Sequence, residues 1–229
     1  PQYGVTFEAT ERKGINIFIA IDASSSMRAQ DVKPSRIEHA KREVLGLMEN
    51  LRGDRVGLIA FAGDAFIQCP LTLDYSAATL FLNDNDTGII STPGTDIATA
   101  IKMARTTFKK QKTKATDVLV VLSDGESFEN DPIESARVAA EQGLVIYTVG
   151  IGTPTGEPIP DYDALGKPNG FKKDKSGQVV VSRLNEAMLR QIAEVTKGKY
   201  FFSSNLKFVM DDIYKEVSRL EKNAMEEQL

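Results

Sequence analysis

The run Ile15-Asn16-Ile17-Phe18-Ile19-Ala20-Ile21 ends abruptly in Asp22-Ala23-Ser24-Ser25-Ser26. An apolar stretch of that length, broken only by Asn16, specifies a strand buried on both faces, as in a parallel sheet covered by helices. At the carboxyl end of such a strand the chain leaves the core and can wall a ligand crevice. Asp22, Ser24 and Ser26 stand at alternate positions, so one loop can aim three oxygens the same way. One carboxylate joined by neutral hydroxyls suits a hard divalent cation.

The chain has 229 residues, 41% of them hydrophobic and 26% charged, enough to bury the core of one large α/β domain. Its formal net charge of -4 offers no basic excess for releasing phosphate counterions, which argues against nucleic acid as a partner. The single cysteine, Cys69, lies in an apolar stretch and reads as a buried inert thiol. It excludes an internal disulfide framework and a cysteine-based zinc site. No signal peptide is visible, and no apolar run approaches the ~20 residues of a membrane-spanning helix.

Taken in order, residues 1–14 read as a lead-in with a short edge strand at Val5-Thr6-Phe7. Ser35 and Glu38 have capping-box spacing, and Ile37, Ala40, Val44, Leu45, Met48 and Leu51 follow at helical spacing until Gly53. Arg55 to Ala62 is a second buried strand, and Ala65 to Leu71 pairs back on it as a hairpin, with Pro70 marking a sheet edge. Asp74 caps a short helix through Leu82, and Thr95-Asp96 opens another carrying Ile97, Ile101, Ala104 and Phe108. The basic run at 109–114 suits a solvated helix end. Asp117 to Leu122 and Leu144 to Ile151 are further buried strands, separated by a helix with Asp131 as cap and Pro132 at its first position.

Residues 153–182 hold four prolines and read as an excursion with a hairpin ending at Val179-Val180-Val181. Asn185 caps the next helix, Tyr200 to Phe202 form the last strand, and Leu206, Val209, Ile213, Val217 and Leu220 mark the final helix. Strands alternating with helices predict a doubly wound, Rossmann-like, mainly parallel sheet with one antiparallel edge strand and helices on both faces. The main domain spans 15–222, and 223–229 form a polar tail.

Three loops at the ends of buried elements carry candidate ligands: Asp22-x-Ser24-x-Ser26, Gly94-Thr95-Asp96 and Ser123-Asp124-Gly125. Placing the strand before Asp124 beside the first strand sets Asp22 and Asp124 facing each other across the crevice where chain direction reverses. Two close carboxylates repel unless a cation lies between them.

Asp22-Ala23-Ser24-Ser25-Ser26, followed by Thr95 and then Asp124, resembles the metal-ion-dependent adhesion site (MIDAS) of the von Willebrand factor A (vWA) family. The resemblance covers roughly 15–222 and implies the vWA fold. It implies that Asp22, Ser24, Ser26, Thr95 and Asp124 ligate magnesium, with manganese or calcium as alternatives, directly or through water. An open coordination position would then take an Asp or Glu from a partner protein.

The segments SMRAQDVKPSRIEHAK, GDRVGLIAFAGDAFIQCPLTLDYSAA, GTDIATAI and VGIGTPTGEPIP resemble the vWA domain of bacterial Bat, or aerotolerance, membrane proteins. That resemblance implies hydrophobic spans on either side of the domain, with the tail leading to one. It also implies an inner-membrane protein whose soluble domain inclines to the periplasmic side. The implied partners are other Bat-type proteins and a MoxR-type AAA+ ATPase system.

Other residues have structural readings. Asp96 reads as a cap, Ser25 as bonded within its loop, and Glu126 as a solvated loop acid. His39, the only histidine, reads as a surface or half-buried structural residue, several helical turns from any serine of the first loop. That distance argues against a Ser-His-Asp triad. Asp31 has no assigned role. The expected function is therefore a non-catalytic, divalent-metal-dependent protein-interaction module. The enzymatic rival is a magnesium-dependent phosphoryl hydrolase with Asp22 as nucleophile, although the position two residues on is Ser24 rather than an acid.

Overall fold

The computed structural model describes residues 14–111, 115–127 and 129–226. The expected edge strand at Val5-Thr6-Phe7 lies outside the described residues, as do 112–114 of the basic run. The chain opens with β1 (Ile15–Asp22), then α1 (Arg36–Asn50), β2 (Arg55–Phe61), β3 (Ala65–Thr72), α2 (Tyr75–Asn83) and α3 (Ile97–Gln111). It continues through β4 (Thr116–Ser123), α4 (Pro132–Glu141) and β5 (Val145–Ile151). Four short strands build the excursion: β6 (Glu157–Pro158), β7 (Pro160–Tyr162), β8 (Pro168–Phe171) and β9 (Val181–Ser182). The chain then closes with α5 (Glu186–Val195), β10 (Tyr200–Ser203) and α6 (Met210–Glu226).

The main sheet runs β10-β5-β4-β1-β2-β3, with every pair parallel except β2–β3. Side-chain alternation along β1 sorts the two cores. Ile15, Ile17, Ile19 and Ile21 meet Ala40, Val44 and Leu47 of α1, Leu82 of α2, and Ile213 and Val217 of α6. Phe18 and Ala20 meet Ile97, Ile101 and Phe108 of α3, Ala136 of α4 and Leu189 of α5. Asn16 interrupts the apolar run without an energetic conflict, because its Nδ2 donates to Asp117 Oδ1 at 2.8 Å on the neighbouring strand.

Helix starts follow their caps. Asp74, Asp131 and Asn185 each accept backbone N–H groups of the first turn, from Ala77, from Ile133 and Glu134, and from Met188 respectively. At α1 only half the capping box forms: Ser35 Oγ accepts from Glu38 N at 3.3 Å, while the Glu38 carboxylate turns to Lys41 at 2.9 Å. Leu206 does not join the last helix. It sits almost fully exposed in the turn closed by the Ser204–Lys207 bridge, and α6 begins at Met210.

The excursion extends no edge of the main sheet. It folds on itself through antiparallel pairs β7–β8 and β6–β9, with a bridge between Lys173 and Val179. Its foot is closed where Leu184 N donates to Thr153 O at 3.0 Å.

Candidate metal centre

In the strand order, connections leave β1 towards β2 and β4 towards β5, so the crevice opens at the carboxyl ends of β1 and β4. Asp22 ends β1 and Ser123 ends β4. Asp22 Oδ1 accepts from Ser24 N at 2.9 Å, and its Oδ2 accepts from Ser123 Oγ at 2.6 Å. Ser25–Arg28 form a single 3-10 turn whose Met27 is buried, and this turn fixes the loop after Asp22. It leaves Ser24 Oγ and Ser26 Oγ 2.9 Å apart.

The third loop arrives from across β2, where Asp96 N donates to Ala62 O at 2.6 Å. Asp96 is the cap of α3, accepting from Thr99 N at 3.0 Å, Thr99 Oγ1 at 2.7 Å and Asn130 Nδ2 at 2.6 Å. Thr95 is thereby left to line the crevice beside Ser24 and Ser26. The crevice has a volume of about 300 Å³. Asp22 and Asp124 are fully buried. Of the five residues singled out from the sequence, Ser24, Ser26 and Thr95 line the crevice, while Asp22 bonds the Ser24 backbone and lies close enough to Asp124 to feel its charge.

The two carboxylates differ in their surroundings. Burial, followed by the charge of Asp124, pushes the Asp22 carboxyl up to about 7, against the pull of its bonds to Ser123 and Ser24. Asp124 has a fixed counter-charge in Arg36, whose Nη1 donates to Asp124 Oδ2 at 2.8 Å and to Ser182 Oγ at 2.6 Å. The same guanidinium forks onto Asp31, with Nε to Oδ1 at 2.8 Å and Nη2 to Oδ2 at 2.7 Å. Burial alone would raise Asp31, but the hydrogen bonds and charge of Arg36 and the bonds from Thr153 hold it below its ordinary value. Gly152, at φ +126°, makes room: a Cβ there would stand 2.7 Å from Arg36 Nε.

Sequence reasoning missed Arg36, although one signal was present. A cation at the first position of a helix sits against the positive end of the helix dipole, and such a placement calls for an acidic partner elsewhere. Three single-residue readings need correction. Ser25 does not bond within its loop, because its Oγ accepts from Lys172 Nζ of the excursion at 2.6 Å. Glu126 is not a solvated acid: it accepts from Ser182 Oγ at 2.9 Å and Arg183 N at 3.1 Å, and burial, followed by the charge of Asp124, raises its carboxyl. His39 is fully buried, its Nε2 2.6 Å from Ser203 Oγ and its ring stacked on Phe208.

A sequence model of the von Willebrand factor type A domain matches residues 17–126. The crystal structure of the conserved hypothetical protein BatB from Bacteroides thetaiotaomicron is 41% identical, with a TM-score of 0.85, and the match covers 91% of this chain and 100% of that one. The chain belongs to the von Willebrand factor type A family. An aerotolerance-related membrane protein from Bacteroides fragilis is 39% identical with a TM-score of 0.83, over 90% of this vWA chain and 100% of that chain. At the level of fold alone, proximal thread matrix protein 1 from the mussel byssus is 18% identical with a TM-score of 0.62, over 93% of this chain and 46% of its own. That protein is described with zinc in its MIDAS motif. Curated relatives described as UPF0353 proteins are longer, and this chain spans 60% and 56% of the length of two of them. No helix among the described residues is long and apolar enough to cross a membrane.

The donor set of this vWA domain fits a hard cation. Among the described residues no group of three His, Cys, Asp or Glu side chains is placed to hold a metal. A cation here would therefore rest on two carboxylates and several hydroxyls, all oxygen, which is the chemistry magnesium, manganese and calcium select. Burial, followed by the Asp124 charge, raises the Asp22 carboxyl, and a cation would offset both. The phosphoryl-transfer rival gains no support, since Ser24 pairs with Ser26 and no acid stands in its place.

Proposed function

We propose that this vWA domain is a non-catalytic protein-interaction module that engages a partner carboxylate in a divalent-cation-dependent way. Asp22, Ser24, Ser26, Thr95 and Asp124 would hold magnesium, or manganese or calcium in its place. When bound, the cation supplies an electrophilic position that accepts a carboxylate oxygen from an Asp or Glu of another protein. Ser24, Ser26 and Thr95 contribute neutral donors, so the protein's own charge on the cation does not exceed that of two carboxylates and the cation keeps affinity for an incoming acid. Arg36 donates to Asp124 and Ser123 donates to Asp22, so each carboxylate is oriented by a hydrogen bond of its own. The observation that carries this reading is the pairing of two fully buried carboxylates, Asp22 and Asp124, which feel each other's charge, beside a crevice lined by the hydroxyls of Ser24, Ser26 and Thr95.

The module, residues 15–222, would belong to a longer Bat-type protein anchored in the bacterial inner membrane, with the tail leading to a span and the domain on the periplasmic side. The identity to a relative described as a membrane protein supports this, as does the greater length of the UPF0353 relatives. Its partners would be other Bat-type proteins and a MoxR-type ATPase system.

The test is a titration of isotope-labelled protein with acetate, followed by NMR, with magnesium present and again with chelator. Acetate should shift amides of residues 23–27, 94–96 and 124–126 only when magnesium is present. Equal shifts under both conditions would remove the metal from the mechanism.

A further inference from the structure

The crevice has a second wall, and that wall carries a cation. Opposite the hydroxyl loop stand Ile159, Lys172, Val180 and Val181 of the excursion. Lys172 is not on a loose tip. Its N donates to Ile159 O at 2.9 Å, its O accepts from Val180 N at 2.8 Å, and Ile159 N in turn donates to Val180 O at 3.2 Å. Buried Ile159 anchors this three-stranded patch. From it the Lys172 ammonium reaches over the crevice to Ser25 Oγ at 2.6 Å.

No carboxylate among the described residues lies within ion-pair distance of Lys172. The nearest acid of the rim, Glu126, is committed to Ser182 Oγ and Arg183 N at the foot of the excursion. On the outer flank of the same turn, Arg28 donates to Thr87 Oγ1 at 2.7 Å and lies 5.9 Å from the Tyr162 ring centroid of the β7–β8 hairpin. The excursion therefore grips the hydroxyl loop on both sides and brings an ammonium to its rim. Lys172 is the one basic side chain among the described residues lining this crevice, and it can meet an incoming negative charge there.

We infer that Lys172 reads a second carboxylate, so that the partner segment is an acidic peptide with two nearby acids. One acid goes to the hydroxyl crevice and the other replaces Ser25 on the Lys172 ammonium. This inference rests on the carboxylate-binding reading above and narrows the partner to a paired-acid sequence. The excursion then acts as a specificity element, and Lys172 as its charge-reading residue.

The experiment uses capped alanine-based peptides with one Glu, or with two Glu at separations of one, two and four residues. Their dissociation constants are measured by NMR titration in magnesium, with the parent, Lys172→Gln, Lys172→Arg and Lys173→Gln. Lys173 is the exposed neighbour in the chain and does not line the crevice, so it controls for general charge. At its best separation the two-acid peptide should bind the parent about two- to fivefold tighter than the one-acid peptide, the scale of one partly exposed ion pair. That ratio should fall to about one in Lys172→Gln, persist in Lys172→Arg and Lys173→Gln, and shrink as salt is raised. A ratio unchanged in Lys172→Gln, or near one in the parent, overturns the inference. Peptide binding that survives chelator overturns the metal reading separately, and absence of any peptide binding overturns both.

Discussion

Arg36 donates from Nη1 to Oδ2 of Asp124 at 2.8 Å, and neither side chain is exposed to solvent. The carboxylate proposed to face a cation thus has a permanent partner of its own. Replacing Arg36 by Met would leave Asp31 and Asp124 buried without their counter-charge. The expected loss is about 3–5 kcal/mol in urea unfolding. Arg36→Lys should recover only part of it, because an ammonium cannot make the forked contact to Asp31.

Asp22 should give the metal-free protein an unusual pH dependence. Its folded value of about 7 lies above the ordinary 3.8, so its contribution is fully present below 3.8 and is lost as pH rises through 7. In chelator, the stability of the parent relative to Asp22→Asn should fall by about 1.4 kcal/mol per pH unit between pH 5 and 7. Denaturant midpoints of both proteins across that range check it, and a difference independent of pH would contradict it.

His39 predicts the opposite sign. Burial, with a further contribution from the Arg42 charge, lowers its value below 6.5. Its contribution is therefore present above 6.5 and is lost as pH falls through the depressed folded value. His39→Gln should flatten this acid-side decline relative to the parent. Equal acid-side slopes would mean that burial does not hold the ring neutral.

Gly125 turns the chain immediately after Asp124 at φ +75°, and a Cβ there would stand 2.6 Å from Asn185 O. Gly125→Ala should cost about 1–3 kcal/mol from backbone strain alone. It should also weaken cation binding, since the same turn positions Asp124. Thermal unfolding and a metal titration of the variant measure the two effects separately.

Much of this molecule was legible in its sequence for identifiable reasons. Apolar runs ending at Asp22 and Ser123 mark parallel strands, and the sheet order then brings their carboxyl ends together. Asp74, Asp131 and Asn185 act locally as caps, within three residues of the groups they bind. The Arg36 network could not be read in the same way. Its contacts join residues 88 and 146 positions apart, to Asp124 and Ser182, and Asp31 meets Thr153 across 122. Ser25 was misassigned for the same reason, since its partner Lys172 is 147 residues distant. Periodicity and spacing report near neighbours, whereas these partners meet only once the excursion has folded over the crevice.

The most direct test of the central claim is calorimetric titration of magnesium and manganese into chelator-treated protein, with Asp22→Ala in parallel. One-site saturable binding in the parent and none in the variant is the predicted result. Identical heats from the two proteins would contradict a cation site built on Asp22.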